Sequence, residues 1–170
     1  SCVARLAYKT NTYTGGATMV LSARLSNDLR VNYSKSAVDQ SYFIDNFGGA
    51  IVPPNASLYP SFTSGPQGYI YIEVDPSGEN TISDGLFSDQ RQRQFNLVNN
   101  LSYTAGSHTL KFGADYRRLA PSADSGTYRR NFIFPSITSL VGGVAPSASL
   151  VGLDAVLRPL YQNFSAYGQD

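Results

Sequence analysis

Residues 94–118 alternate between apolar and polar side chains. The apolar positions are Phe95, Leu97, Leu101 and Tyr103 before a break at residues 105–108, and Leu110, Phe112, Ala114 and Tyr116 after it. A repeat of two residues is the pattern of a β-strand with one apolar face. Two such runs of about ten residues, joined by a short turn that contains glycine, predict a β-hairpin.

A second hairpin is predicted nearer the N-terminus. Residues 10–26 place on one face the apolar residues Tyr13, Ala17, Met19, Leu21, Ala23 and Leu25. Asn27-Asp28 is the predicted turn, because both residue types favour tight turns. Leu29, Val31 and Tyr33 continue the alternation on the return strand. A strand of about 15 residues is longer than most strands of soluble proteins but suits a tilted strand in a membrane barrel.

Long connections rich in glycine and proline separate the hairpins. Strands are predicted near residues 10–26, 29–38, 90–104, 109–119 and 160–170, and loops at 39–89 and 120–159. Within these loops, residues 69–74 are the best further strand, and residues 139–157 suit a short helix or a buried loop. Short turns at one end and long loops at the other are typical of outer-membrane barrels. The predicted fold class is all-β: an antiparallel up-and-down transmembrane β-barrel segment of about five long strands, not closed on its own.

The apolar face has two possible neighbours. In an outer-membrane barrel it meets lipid, with aromatic residues near the two water interfaces. The lipid-facing residues are then Leu21, Leu25, Val31, Tyr33, Phe95, Leu97, Leu101, Tyr103, Leu110, Phe112 and Tyr116. In a secreted β-sandwich, such as an adhesion or carbohydrate-binding module, the same face packs against a second sheet. The alternation alone leaves both open.

Charged residues favour the barrel. The predicted lumen-facing charges, all on the polar side of their strands, are Arg24, Arg30, Lys111, Asp115 and Arg117. A basic residue on the lipid face near the membrane midplane costs about 2–4 kcal/mol, which accounts for this placement. These side chains either line the lumen and contact a plug or pair with one another across the strands.

Composition excludes several functions. The formal net charge of +1 and the 15% content of charged residues give no electrostatic basis for binding nucleic acid. The single cysteine, Cys2, cannot form an internal disulfide, and the single histidine, His108, lies in a predicted turn. We therefore expect no metal site, no cofactor and no enzymatic activity.

The long loops carry the candidate ligand-binding residues. These are the aromatic side chains of Tyr42, Phe47, Tyr59, Tyr69, Tyr71 and Tyr128. Aromatic rings can stack on a sugar or a peptide. They can equally hold a long loop together.

Several segments suggest a family. Residues 25–34 (LSNDLRVNYS) and 45–50 (DNFGGA), the hairpin 101–118 and the segment 164–170 together resemble the barrel of TonB-dependent outer-membrane receptors, in particular the Oar-like members that carry a carboxypeptidase-regulatory-like domain. The resemblance implies an outer-membrane barrel of about 22 strands around a plug. It implies uptake of a bulky nutrient, as yet unknown, driven by the TonB–ExbB–ExbD complex. Because no plug or TonB box is recognised, we expect a fragment whose partners are lipid, the plug and the remaining barrel of the parent chain.

Overall fold

Strands dominate the chain. The computed structural model describes residues 2–74, 80–145, 147–152 and 156–170. Its strands are β1 (Cys2–Ser22), β2 (Leu25–Ile44), β3 (Gly68–Val74), β4 (Asn80–Ala105), β5 (His108–Asp124), β6 (Tyr128–Phe134), β7 (Ser147–Val151) and β8 (Tyr161–Gln169). Two short helices, α1 (Asn55–Leu58) and α2 (Ile137–Val141), and a 3-10 turn at Phe47–Gly49 lie between them. No helix in these ranges is long and apolar enough to cross a membrane. The all-β fold class is confirmed.

The chain divides into two compact units. Residues 9–37, 91–122 and 158–170 form one, called the hairpin unit here, and residues 1–8, 38–90 and 123–157 form the other, called the loop unit. In the hairpin unit the strand order is β1-β2-β4-β5-β8. Strands β5 and β8 are antiparallel, with Phe112 opposite Gly168 and Tyr116 opposite Phe164. Over the described residues, β1 and β8 do not pair, so this sheet is not closed.

The turn of the first hairpin lies earlier than predicted. Strand β1 ends at Ser22 and β2 begins at Leu25, so the turn is Ala23-Arg24 and not Asn27-Asp28. The Ser22 hydroxyl accepts a hydrogen bond from the backbone N–H of Arg24 at 3.2 Å, which stabilises this turn. Asn27 instead lies within β2, where its side-chain amide bonds to β4.

The turn of the second hairpin lies where it was predicted. Strand β4 ends at Ala105 and β5 begins at His108, which leaves Gly106-Ser107 between them. Gly106 has φ 64°, a conformation in the left-handed region that suits glycine. A tight two-residue connection fixes the register of β4 on β5, and therefore which side chains share a face.

The loop unit contains more strand than predicted. Strand β2 continues to Ile44 and β4 already begins at Asn80, so much of the predicted loop 39–89 is sheet. The predicted strand 69–74 is confirmed as β3, which pairs antiparallel with β4 and parallel with β6. In the predicted loop 120–159, β7 pairs with β6. Residues 75–79, 146 and 153–155 of the two loops lie outside the described residues.

The loop unit has a small apolar core of its own. Tyr59, Ile70 and Tyr128 are 4%, 4% and 7% exposed, and Leu58 and Ile72 pack against them. Gly68 lies beside the Tyr59 ring, where an added Cβ would be 3.0 Å from Cε1 of that ring. Burial of aromatic and branched side chains stabilises this unit by contacts that join segments far apart in the sequence.

Candidate functional site

The first hairpin has one polar face and one largely apolar face. On the polar face, Thr18 donates its hydroxyl to the Asp28 carboxylate at 3.0 Å, and the Asn32 amide donates to the Thr14 hydroxyl at 2.7 Å. Gly16 lies beside Arg30 in the same register. Residues of the opposite parity therefore share the other face, where Tyr13 lies opposite Tyr33, Ala17 opposite Leu29 and Leu21 opposite Leu25.

Strand β4 continues both faces. The backbone N–H of Thr104 donates to the Arg24 carbonyl at 2.8 Å, and the side chains of Asn27 and Asn99 bond to each other. These contacts make β2 and β4 antiparallel, since the partner number falls as the residue number rises. The hydrogen bond between Thr104 and Arg24 brings Tyr103 next to Leu25, so the apolar face of β4 lies beside that of β2.

Strands β5 and β8 extend the apolar face further. The rings of Phe95 and Tyr116 lie 6.4 Å apart between their centroids, which places them on one face. The Cα register then puts Ala166 beside Ala114 and Phe164 beside Tyr116. Phe112 is 48% exposed and Phe164 is 70% exposed, so no second layer covers this face within the described residues. Burial of the face against a second sheet, which the sandwich alternative requires, is therefore not observed.

An open sheet with one continuous, uncovered apolar face agrees with the family comparison. Residues 4–170 match the model of a family described as outer membrane beta barrel domain. The chain belongs to this family. The barrel domain matches no curated protein and no solved structure. Its location in the outer membrane is confirmed.

Hydrogen bonds and an ion pair join side chains on the polar face of the barrel domain. Arg30 pairs with Asp28 through a 3.1 Å contact between Nε and Oδ2, and its side chain is 70% exposed. The Asn96 amide donates to the Asp115 carboxylate at 2.7 Å. Of these two contacts, the one between Asn96 and Asp115 crosses from β4 to β5, whereas Arg30 and Asp28 both lie in β2. Arg24 differs, because it lies in the turn and not in a strand.

On the polar face, the side chain of Tyr167 extends from β8 across β5 to β4. It is paired with Gly113 in the β5–β8 register, and its hydroxyl donates to the side-chain oxygen of Asn100 on β4 at 3.1 Å. A Cβ on Gly113 would lie 2.0 Å from Cε1 of Tyr167, so only glycine leaves room for the ring. The ring thus bridges three strands, which favours a fixed register.

The loop aromatics divide into buried and accessible rings. Tyr59, Tyr69 and Tyr128 are 4%, 5% and 7% exposed, so their rings belong to the interior of the loop unit. Phe47 is 77% exposed in the 3-10 turn, and the Tyr71 hydroxyl donates to Glu73 at 3.0 Å. Ligand binding stays a prediction for the accessible rings. The three buried rings have a structural role instead, because an enclosed ring cannot stack on a ligand unless the core opens.

Tyr42 lies in β2 and not in a loop, and it belongs to an aromatic cluster. Its ring is 5.8 Å from Tyr69 and 6.0 Å from Phe87 between centroids. The Arg129 guanidinium lies over Tyr69 and Phe87 at 5.0 and 5.1 Å, and donates to the Phe87 carbonyl at 2.8 Å. These cation–π contacts stabilise the loop unit around one cation. Arg129 was not predicted from the sequence, because its partners Tyr69 and Phe87 lie on two other strands, β3 and β4.

Tyr59 is the most strongly anchored of the buried tyrosines. Its hydroxyl donates to both the backbone carbonyl and the carboxylate of Asp84, each at 2.8 Å. Burial, and then the adjacent Asp84 carboxylate, raise the pKa of Tyr59 far above its ordinary value. Burial also raises the pKa of Tyr69. Both phenols therefore stay neutral at physiological pH and act as structural donors.

A groove beside Tyr42 in the loop unit carries charged side chains. Its volume is about 390 Å³, and its lining includes Arg5, Asp39, Tyr42 and Asp84. Because carboxylates and a guanidinium line the same groove, its charge favours neither an anionic nor a cationic ligand. Among the described residues, no group of three or more potential metal ligands is found.

Proposed function

We propose that the barrel domain is part of a TonB-dependent receptor that takes up a bulky nutrient across the outer membrane. The main support is the division of the hairpin unit into an uncovered apolar face and a hydrogen-bonded polar face. An apolar face of this kind suits lipid, and a polar face suits a water-filled lumen. The resemblance of residues 25–34, 45–50 and 101–118 to such receptors supports the finer assignment.

The internal packing of the loop unit favours a receptor over a simple pore. Its own aromatic core, with Tyr59, Ile70 and Tyr128 buried, makes an ordered structure from the long connections. Long loops with internal packing are frequently functional. We propose that this unit lies on the extracellular side and that its accessible aromatic residues contact the nutrient before uptake.

Binding to TonB tests the proposal without knowledge of the nutrient. The full-length protein that contains this domain is purified in mild detergent, and binding of the purified periplasmic domain of TonB is measured by surface plasmon resonance. Ion conductance of the same protein is measured in planar bilayers. A TonB-dependent receptor binds TonB and conducts poorly, because its plug fills the lumen. Absence of TonB binding together with large, steady conductance would show a passive pore and overturn the proposal.

A further inference from the structure

Three basic residues continue the apolar face beyond its aromatic residues. Each of these residues is two positions away from an aromatic residue in the same strand, and therefore lies on the same face as that residue. They are Lys35, Arg93 and Arg118. The aromatic neighbours are Tyr33, Phe95 and Tyr116. We call Lys35, Arg93 and Arg118 the basic row. Arg93 and Arg118 are exposed, and Lys35 is partly exposed.

The strand order brings the members of the basic row together. Strands β2, β4 and β5 are consecutive neighbours in the hairpin unit, so Lys35 lies on the strand beside that of Arg93. Arg93 and Arg118 each lie two residues beyond one of two rings in contact, Phe95 and Tyr116. Arg118 follows on β5, where it lies opposite Gln162 of β8. In the described part of the chain, the ion pairs do not include any member of the basic row. Like charges close together on one face of a sheet repel each other, so an external anion would stabilise this arrangement.

The basic row lies at the depth where a membrane's polar surface begins. From Leu25 to Tyr33, and from Phe95 to Tyr103, the apolar face extends over nine residues in each strand, counted from the residue numbers. A tilted strand crosses the hydrocarbon with about 9–11 residues. Lys35 and Arg93 follow directly at the end remote from the short turns, which is the extracellular end of a barrel.

The opposite face is less basic at this depth. Ser34, Ser36, Gln92 and Gln94 lie on it, and Arg117 is the one basic residue among these positions of β2, β4 and β5. Three cations on one face, next to aromatic rings, are expensive in hydrocarbon but favourable beside anionic headgroups. Arginine in particular binds phosphate oxygens with two parallel hydrogen bonds.

We propose that the basic row binds phosphate groups of lipopolysaccharide in the outer leaflet of the outer membrane. The proposal rests on the lipid-facing assignment in the proposed function, but it does not require TonB. The row supplies two guanidinium groups and one ammonium group on an otherwise apolar face. The lipid chains cover the aromatic and aliphatic residues below the row, and the phosphates occupy the positions beside it. The basic row recognises the lipid by the negative charge of its phosphate groups.

Binding of purified lipopolysaccharide to the full-length protein in detergent tests the proposal by calorimetry. The variant Lys35→Gln/Arg93→Gln/Arg118→Gln removes the basic row. At a factor of about five per basic residue, we expect affinity to fall by roughly a hundredfold. Dephosphorylated lipopolysaccharide should bind the unaltered protein as weakly as intact lipopolysaccharide binds the glutamine variant. Free inorganic phosphate should not compete at equal concentration, because it lacks the lipid chains.

Matched variants separate the role of the row from general charge and folding. Arg30→Gln/Lys111→Gln/Arg117→Gln removes three charges from the other face and should leave lipopolysaccharide affinity unchanged. Lys35→Arg/Arg93→Lys/Arg118→Lys keeps the charge and should retain binding within a few-fold. If the glutamine variant does not fold, as judged by heat-modifiable gel mobility, each single glutamine variant should show its own five-fold loss. Equal losses on both faces, no loss in the glutamine variants, or competition by inorganic phosphate would each overturn the proposal.

Discussion

Asn27 and Asn99 exchange two hydrogen bonds across β2 and β4, with each amide nitrogen donating to the other's oxygen at 3.1 Å. Asn27 also donates to the Asn100 carbonyl at 3.3 Å. The two residues are 72 positions apart in the sequence. Both lie on the otherwise apolar face, so this mutual pairing satisfies two amides that lipid could not satisfy.

Substituting one partner of this pair should destabilise the barrel. Asn27→Leu leaves the Asn99 amide without its partner on the apolar face, which costs about 1–3 kcal/mol. The double variant Asn27→Leu/Asn99→Leu should be more stable than the sum of the single losses predicts. Urea unfolding of the full-length protein in lipid vesicles measures the coupling. Additive losses would show that the pair contributes no interaction of its own.

Gly113 should not tolerate even one added methyl group. In Gly113→Ala the new Cβ would meet the Tyr167 ring, 2.0 Å from its Cε1, and displacement of that ring would break the hydrogen bond to Asn100. We expect a loss of about 1–3 kcal/mol in the free energy of unfolding, typical of overpacking. Gly15→Ala is the matched control, because an added Cβ there meets nothing within 4 Å.

Removing the ring should remove the penalty. In a Tyr167→Ala background, Gly113→Ala should cost much less than in the unaltered protein, since the two closest ring atoms are gone and only Asn100 Oδ1, 2.7 Å from the added Cβ, remains. Urea unfolding of the four proteins gives this comparison directly. A Gly113→Ala penalty of the same size without the tyrosine ring would place its cause in the backbone or in Asn100, and the proposed packing against Tyr167 would be wrong.

Charge on the two faces should have opposite consequences. Leu97→Arg or Phe112→Arg puts a cation on the apolar face, at a cost of about 2–4 kcal/mol near the midplane. We expect these variants to block membrane insertion of the full-length protein. Asn96→Arg and Thr109→Arg add the same charge to the polar face and should insert normally. Heat-modifiable mobility after assembly into vesicles reads the folded fraction, and equal sensitivity of both faces would contradict the lipid assignment.

The faces were predictable from the sequence because strand geometry alone determines them. Every second side chain of a strand points the same way, so Leu97 and Leu101 share a face whatever the strand pairs with. The turn at Ala23-Arg24 was missed for a related reason. Asn27-Asp28 has a turn-like composition, but the partner that keeps Asn27 in β2 is Asn99, which no local pattern reveals.

Apart from strand β3, the loop unit could not be predicted, because its contacts are distant in sequence. The parallel pairing of β3 with β6 joins Gly68 to Tyr128, and neither strand shows a clear alternation. Tyr59 and Tyr128 looked like ligand-binding residues, since a sequence does not distinguish an exposed loop ring from a buried one. Likewise, the reach of Tyr167 over Gly113 depends on the β5–β8 register, which follows from tertiary structure alone.

Tyr59 should make the loop unit sensitive to alkali. Because burial raises its pKa in the folded state, the phenol stays protonated there after it has ionised in the unfolded chain. Its contribution to stability is therefore complete below the unfolded-state pKa near 10 and is lost as pH rises from there toward the folded-state pKa. Tyr69, whose pKa burial also raises, contributes with the same sign.

Tyr59→Phe should reduce this alkaline loss while lowering stability at neutral pH. The variant loses both hydrogen bonds to Asp84, at about 1–3 kcal/mol. Hydrogen exchange of β3 and β4 amides in the full-length protein, measured at pH 7, reports that loss. The thermal midpoint measured between pH 9 and 12 should then fall less steeply in Tyr59→Phe than in the unaltered protein. Phe62→Leu, a conservative change of an exposed ring in the same unit, is the control and should leave the pH slope unchanged. An identical slope in Tyr59→Phe would mean that other groups cause the alkaline loss.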